Sequence, residues 1–207
     1  MFLRSRRAGT AVMILAGTAA VCWVLTWWLF SQTPYGAARG GLSLTLVFGS
    51  LAASCVVGAG AASPFGDAER TSARPLAPAR FLHFSGLLLL SSLVLCCVLL
   101  LIDLTGARPE HPLLVLVRNV AALGGLALLS ARLVGARLSW IPPFVFSIGY
   151  LTAMGTGSDL LSAFVNRSHD GLHGPSWIAA LLMLVAGLGP VCARGARERV
   201  GKTEESP

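Results

Sequence analysis

The stretch FLHFSGLLLLSSLVLCCVLLLI (81–102) runs for 22 residues without one formally charged side chain. A helix rises about 1.5 Å per residue, so roughly 20 apolar residues cross about 30 Å of hydrocarbon. Lipid offers the backbone no hydrogen-bond partner, so such a run satisfies its own bonds as a helix. Five further runs flank it, at 10–30, 41–63, 113–131, 139–157 and 175–193, each at least 19 residues long. The alternating ten-residue segments of a membrane barrel are absent. The pattern predicts an all-α, polytopic membrane bundle of six transmembrane helices.

The charges between the runs set an orientation. With the N-terminus inside, the inner segments hold Arg4, Arg6, Arg7, Arg70, Arg74, Arg80, Arg132, Arg137, Arg194, Arg197, Arg199 and Lys202. The outer loops hold only Arg39, Arg108 and Arg167, and Arg118 falls inside a run. Short loops rich in Lys and Arg stay cytoplasmic, so both termini are expected in the cytoplasm. The six runs then form one transmembrane domain over residues 1–193, followed by a polar, disordered cytoplasmic tail over 194–207.

Composition narrows the function classes. In 207 residues with 55% hydrophobic and 12% charged content, no loop is long enough to fold as a soluble catalytic domain. The net charge of +7 follows from basic residues lining the inner face against anionic lipid, so no nucleic-acid partner is expected. Cys22, Cys55, Cys96, Cys97 and Cys192 all lie within runs and match no zinc spacing. They read as small core residues facing neighbouring helices. Ser5-Arg6-Arg7 before an apolar run resembles a twin-arginine signal, but the run is long and carries Trp23, Trp27 and Trp28 toward its outer end. It is expected to remain as the first span.

Local patterns add detail. Gly49, Ala53, Val57, Gly58 and Gly60 give span two a small-residue face, which favours close helix approach and a central position in the bundle. The inner loop at 64–80 carries Asp67, Glu69, Arg70 and Arg74, which suit a short helix ended by Pro75 and Pro78. It is either a solvated linker or a docking element for a soluble partner. The leucines of span three are expected to face lipid over much of their surface. Pro142-Pro143 open span five, where missing N–H groups cost least. The outer segment DLLSAFVN (159–166) places Leu160, Leu161, Phe164 and Val165 on one face of a short amphipathic helix.

Chemistry-bearing residues are few. Arg118 is the only formal charge well inside a run. It either serves a substrate path together with Asn119, or snorkels outward to pair with Glu110 or Asp103. His169-Asp170 and His173 could hold a metal only on a helix, which Gly171 and Gly174 oppose, so a solvated loop is expected. His83 has no second intramembrane histidine to complete a haem site. No nucleophile elbow, zinc-protease motif or phosphate loop occurs, so neither a cofactor nor a metal is expected.

The stretch RNVAALGGLALLSARLVGARLSWIPP (118–143) resembles the integral-membrane permease subunits of ABC-type exporters from GC-rich bacteria. That resemblance implies six spans with both ends inside, a coupling loop after span two and a helical outer element between spans five and six. It further implies a second permease subunit, in a homo- or heterodimer, and a separate cytosolic ATPase docked on the inner loops. The expectation is a plasma (inner) membrane, multi-pass exporter subunit that carries an amphipathic or hydrophobic substrate and is not itself an enzyme. Asp67, Glu69, Arg70 and Arg74 are the partner-docking candidates, and Arg118 and Asn119 the substrate-path candidates. The rival expectation is a small non-catalytic scaffold or immunity-type membrane protein. A weaker one is a lipid-acting enzyme using His169, Asp170 and His173.

The orientation is testable by fusion reporters. A C-terminal green fluorescent protein should fluoresce, and alkaline phosphatase joined within 158–174 should be active. The reverse pattern would overturn the assignment.

Overall fold

The computed structural model describes residues 8–32, 38–61, 77–103, 111–156, 172 and 174–194. These form six α-helices: α1 (Ala8–Gln32), α2 (Ala38–Ala59), α3 (Ala77–Asp103), α4 (Pro112–Leu133), α5 (Ile141–Thr156) and α6 (Gly174–Arg194). One 3-10 turn (Ala136–Leu138) links α4 to α5. Every helix coincides with one of the six apolar runs, so the described chain is all-α.

Three of the helices are long and apolar enough to cross a membrane by length and composition: α3 over Ala77–Leu101, α4 over Pro112–Leu133 and α6 over Gly174–Ala193. They point to a multi-pass membrane protein. Apolar stretches in α1 and α2 are shorter, at Val12–Leu25 and Leu46–Ala59. The run at 139–157 does not form one helix from its start. Ser139 and Trp140 lie in a turn, and α5 comprises 16 residues, about 24 Å of rise. The bundle's outer surface is apolar all round: Met13, Val24 and Trp27 of α1, Leu89 and Leu93 of α3, Val145 and Phe146 of α5, and Leu182 and Val185 of α6 are all exposed. Water does not tolerate so continuous an apolar surface, and a lipid-facing bundle displays one.

Close contacts fix the relative directions of four helices. Gly49 faces Leu95 and Gly60 faces Leu87, so α2 and α3 are antiparallel. Gly124 faces Leu88, while Leu116 and Val120 share a cluster with Leu95, Val98 and Leu99, so α3 and α4 are antiparallel too. Gly125 lies against Met183 and Leu184, and Gly187 against Gly125 and Leu129, so α4 and α6 run parallel. Helices joined by one connection are thus opposed and α4 and α6, two crossings apart, are aligned. Successive crossings of one slab demand this alternation.

The central helix is α4, which packs on α2, α3, α5 and α6. Of its apolar stretch 56% is buried, against 33% for α3 and 17% for α6. The central place expected for span two is therefore shared, with α2 second to α4. Two apolar clusters stack along the bundle. One joins Cys22 of α1, Leu46 and Ala53 of α2, Leu95 and Val98 of α3, and Leu116 of α4. The other joins Val57 of α2, Phe84 of α3, Leu128 and Ala131 of α4, and Val191 and Cys192 of α6. Helix α6 enters only the second cluster and α1 only the first.

Turn chemistry places the return to α5. Gly135 adopts φ 110°, a region L side chains avoid, and its N–H donates to the Ser130 carbonyl at 3.3 Å. The Ser139 hydroxyl donates to the Ala136 carbonyl at 2.9 Å and lies against Gly58 of α2. Trp140, exposed, stacks edge-on against Phe144 at 5.9 Å, and Pro142 and Pro143 occupy the first turn of α5 as expected.

The seat of α6 on α4 is made without side chains. A Cβ on Gly125 would lie 2.5 Å from the Met183 carbonyl oxygen and 2.6 Å from the Leu184 Cα. A Cβ on Gly187 would run into the Gly125 carbonyl. Gly187→Ala should therefore lower the unfolding free energy of the solubilised protein by about 1–3 kcal/mol. Gly86→Ala, where a methyl meets open space, should leave the thermal midpoint unchanged or raised, as read by fluorescence-detected size exclusion. Equal midpoints for the two variants would overturn the seat.

Candidate functional site

Arg118 sits in α4, two turns before Gly125, and is only 3% exposed. Seven residues are close to two full turns, so Arg118 and Gly125 share the face that meets α6. Gly124, which meets α3, lies about 120° further round. The Arg118 residue is therefore covered by protein, at a position on the α6 face of α4. A charge held in a span costs at least about 2.5 kcal/mol on insertion scales, which makes such a residue a functional candidate by default.

The parallel register identifies its level on α6. Gly125 lies beside Leu184 and Leu129 beside Gly187. Carried back two turns, the same offset sets Arg118 level with Ser176 and Trp177, both half-buried. Just below them Ala180 is buried at 2% exposure, on the same side of α6 as Gly187. This level belongs to neither apolar cluster on the α6 side, because α6 contributes to the inner cluster alone.

Asn119 is half-buried, but as the next residue it is turned about 100° away from Arg118. The structure thus places the two substrate-path candidates on different faces of α4. The docking candidates Asp67, Glu69, Arg70 and Arg74 lie outside the described residues, as do His169, Asp170 and His173, Glu110 and the proposed amphipathic segment at 159–166. His111 precedes α4 in a left-handed conformation at φ 54° and is exposed. Among the described residues no group of three or more His, Cys, Asp or Glu side chains could hold a metal ion.

The buried serine hydroxyls of the helices are engaged with their own helices. Ser50, Ser54, Ser91, Ser130 and Ser147 each donate a hydroxyl hydrogen to a carbonyl one turn back, at 2.6–2.8 Å. Such local bonds let a hydroxyl enter an apolar core without a distant partner. His83, near the start of α3, is buried and meets Phe84 edge-to-face at 5.4 Å. Cys22 and Cys192 are core residues as expected and Cys55 and Cys96 are half-buried. Cys97 is a correction: it is exposed, because it lies one position round the helix from Cys96, on the outward side of α3.

No protein-family model matches the chain, and no match was found among curated proteins or solved structures.

Arg118→Met tests the structural role of the arginine. Removing one member of a buried charge pair destabilises by roughly 3–5 kcal/mol, because its partner group is left uncompensated. A lowered unfolding midpoint of the solubilised protein is expected, since Arg118 is buried and engaged in the folded chain. An unchanged midpoint would leave Arg118 no part in holding the fold.

Proposed function

We propose that all six helices cross the bilayer and that the protein is the permease-type subunit of an exporter, with energy supplied by a separate ATP-hydrolysing chain. The observation that carries this reading is Arg118: an almost wholly enclosed cation on the inward face of the central helix of an apolar bundle. An ionisable side chain enclosed in an apolar bundle is a functional candidate by default, because its desolvation is costly. The alternating helix directions support successive crossings, and the inward-facing basic segments support cytoplasmic termini. The ABC-type assignment rests on the resemblance of residues 118–143 and on the loop order around it. On this reading the inner loop at 64–80, with Asp67, Glu69, Arg70 and Arg74, receives the ATPase, and a second permease subunit completes the path. The membrane is the plasma membrane. Substrate passes along the Arg118 side of α4, and its few polar neighbours favour an amphipathic cargo.

The test is co-purification of the full chain from its native membranes. An ATP-hydrolysing subunit should accompany it and should be lost when residues 64–80 are replaced by a Gly/Ser linker. A clean preparation without such a subunit would overturn the permease reading in favour of a scaffold or immunity-type protein.

A further inference from the structure

We propose that α6 is a hinged gate whose outer half swings from α4 at Gly187–Pro190, opening the enclosed level of Arg118 to water. The proposal concerns this chain alone and holds whether or not an ATPase partner exists.

Three features of α6 differ between its ends. At the inner end Val191 and Cys192 are buried in the cluster formed with Leu128, Ala131, Val57 and Phe84, so this end is fixed by side-chain packing from three other helices. At mid-helix Gly187 rests directly on the α4 backbone, with no side chain to interlock the two. In the outer half Ile178, Leu181, Leu182, Met183 and Val185 are all exposed, and Ala180 is the only hydrophobic residue buried as core. Side chains from three other helices therefore hold the inner end, while the outer half is covered at fewer positions, with Ser176, Trp177 and Leu184 half-buried.

The backbone is weakest between those regions. Pro190 lies inside α6. It has no N–H to donate to the Ala186 carbonyl, and its ring crowds that carbonyl. Gly187 and Gly189 flank the same turn, and a Cβ on Gly189 would meet nothing within 4 Å. Two glycines and a proline within four residues leave a turn that is easy to bend. From Gly189 to Trp177 the helix extends about 18 Å, so a modest bend at the hinge moves the Trp177 level by several ångströms. That is the level of Arg118. At the Gly125–Gly187 contact itself no side chain has to be withdrawn from a socket.

The gate is read by water access to Ala180. In a cysteine-free background of the full chain in lipid nanodiscs, Ala180→Cys is exposed to a charged, membrane-impermeant maleimide. Labelling should be measurable although Ala180 is only 2% exposed. Adding Pro190→Ala restores one helical hydrogen bond at an exposed position and should slow labelling about tenfold. Gly189→Ala, which meets open space, should slow it less, by about twofold to fivefold, and serves if the proline variant does not fold. Ala127→Cys, fully buried on the α2 side of α4, should remain unlabelled throughout. No labelling at position 180, equal rates with and without the stiffening substitutions, or labelling at position 127 as well would each overturn the hinge.

Discussion

Between α4 and α6 the two backbones touch with nothing between them: a methyl group on Gly187 would strike the Gly125 carbonyl, and one on Gly125 would strike the Met183–Leu184 backbone. In lipid the transfer of apolar side chains from solvent to protein contributes little to helix association, so attraction depends on dispersion at close range. Glycine at both positions is what permits that range. The consequences run in both directions along the helices. Toward the C-terminal end of α6 the contact brings Val191 and Cys192 into the cluster around Leu128 and Ala131. Toward its N-terminal end it sets Ser176 and Trp177 at the level of Arg118.

Because α4 also meets α2, α3 and α5, it distributes distinct faces to its neighbours. Small residues mark several of these: Gly124 receives Leu88, Gly125 receives α6, and Ala127 approaches Gly58. Each lets a neighbour come close, and Arg118 lies on the α6 face two turns above Gly125. The buried serines fit the same economy. They bond within their own helices, so the interior between helices is closed by shape more than by polar links. A charged residue in such an interior is conspicuous, since its burial is costly.

Much of the fold was legible because lipid removes choices. Where water is absent, an apolar run of about 20 residues has one way to satisfy its backbone, and each of the six runs coincides with a helix over most of its described length. The prolines at 142 and 143 marked the start of α5, and the leucine-rich span three turned part of its surface outward as composition suggested. The site was less legible. Arg118 stood out as a charge in an apolar run, but pairing it with Asn119 ignored the 100° between consecutive helical residues. The central role of α4 was hidden because span two carried the longer list of small residues, and counting small residues does not tell which faces meet.

By itself, then, the sequence determined what solvent dictates: helices and their approximate limits. These follow from transfer energetics that act residue by residue. Tertiary structure alone decided which helix lies in the middle, which face of α4 meets α6, and that Arg118 is buried at the level of Ser176 and Trp177. Gly125 and Gly187 are separated by more than 60 residues of chain, and nothing local to either names the other. Their match is a property of two surfaces fitted at van der Waals distance, and such a fit exists only once the bundle has assembled.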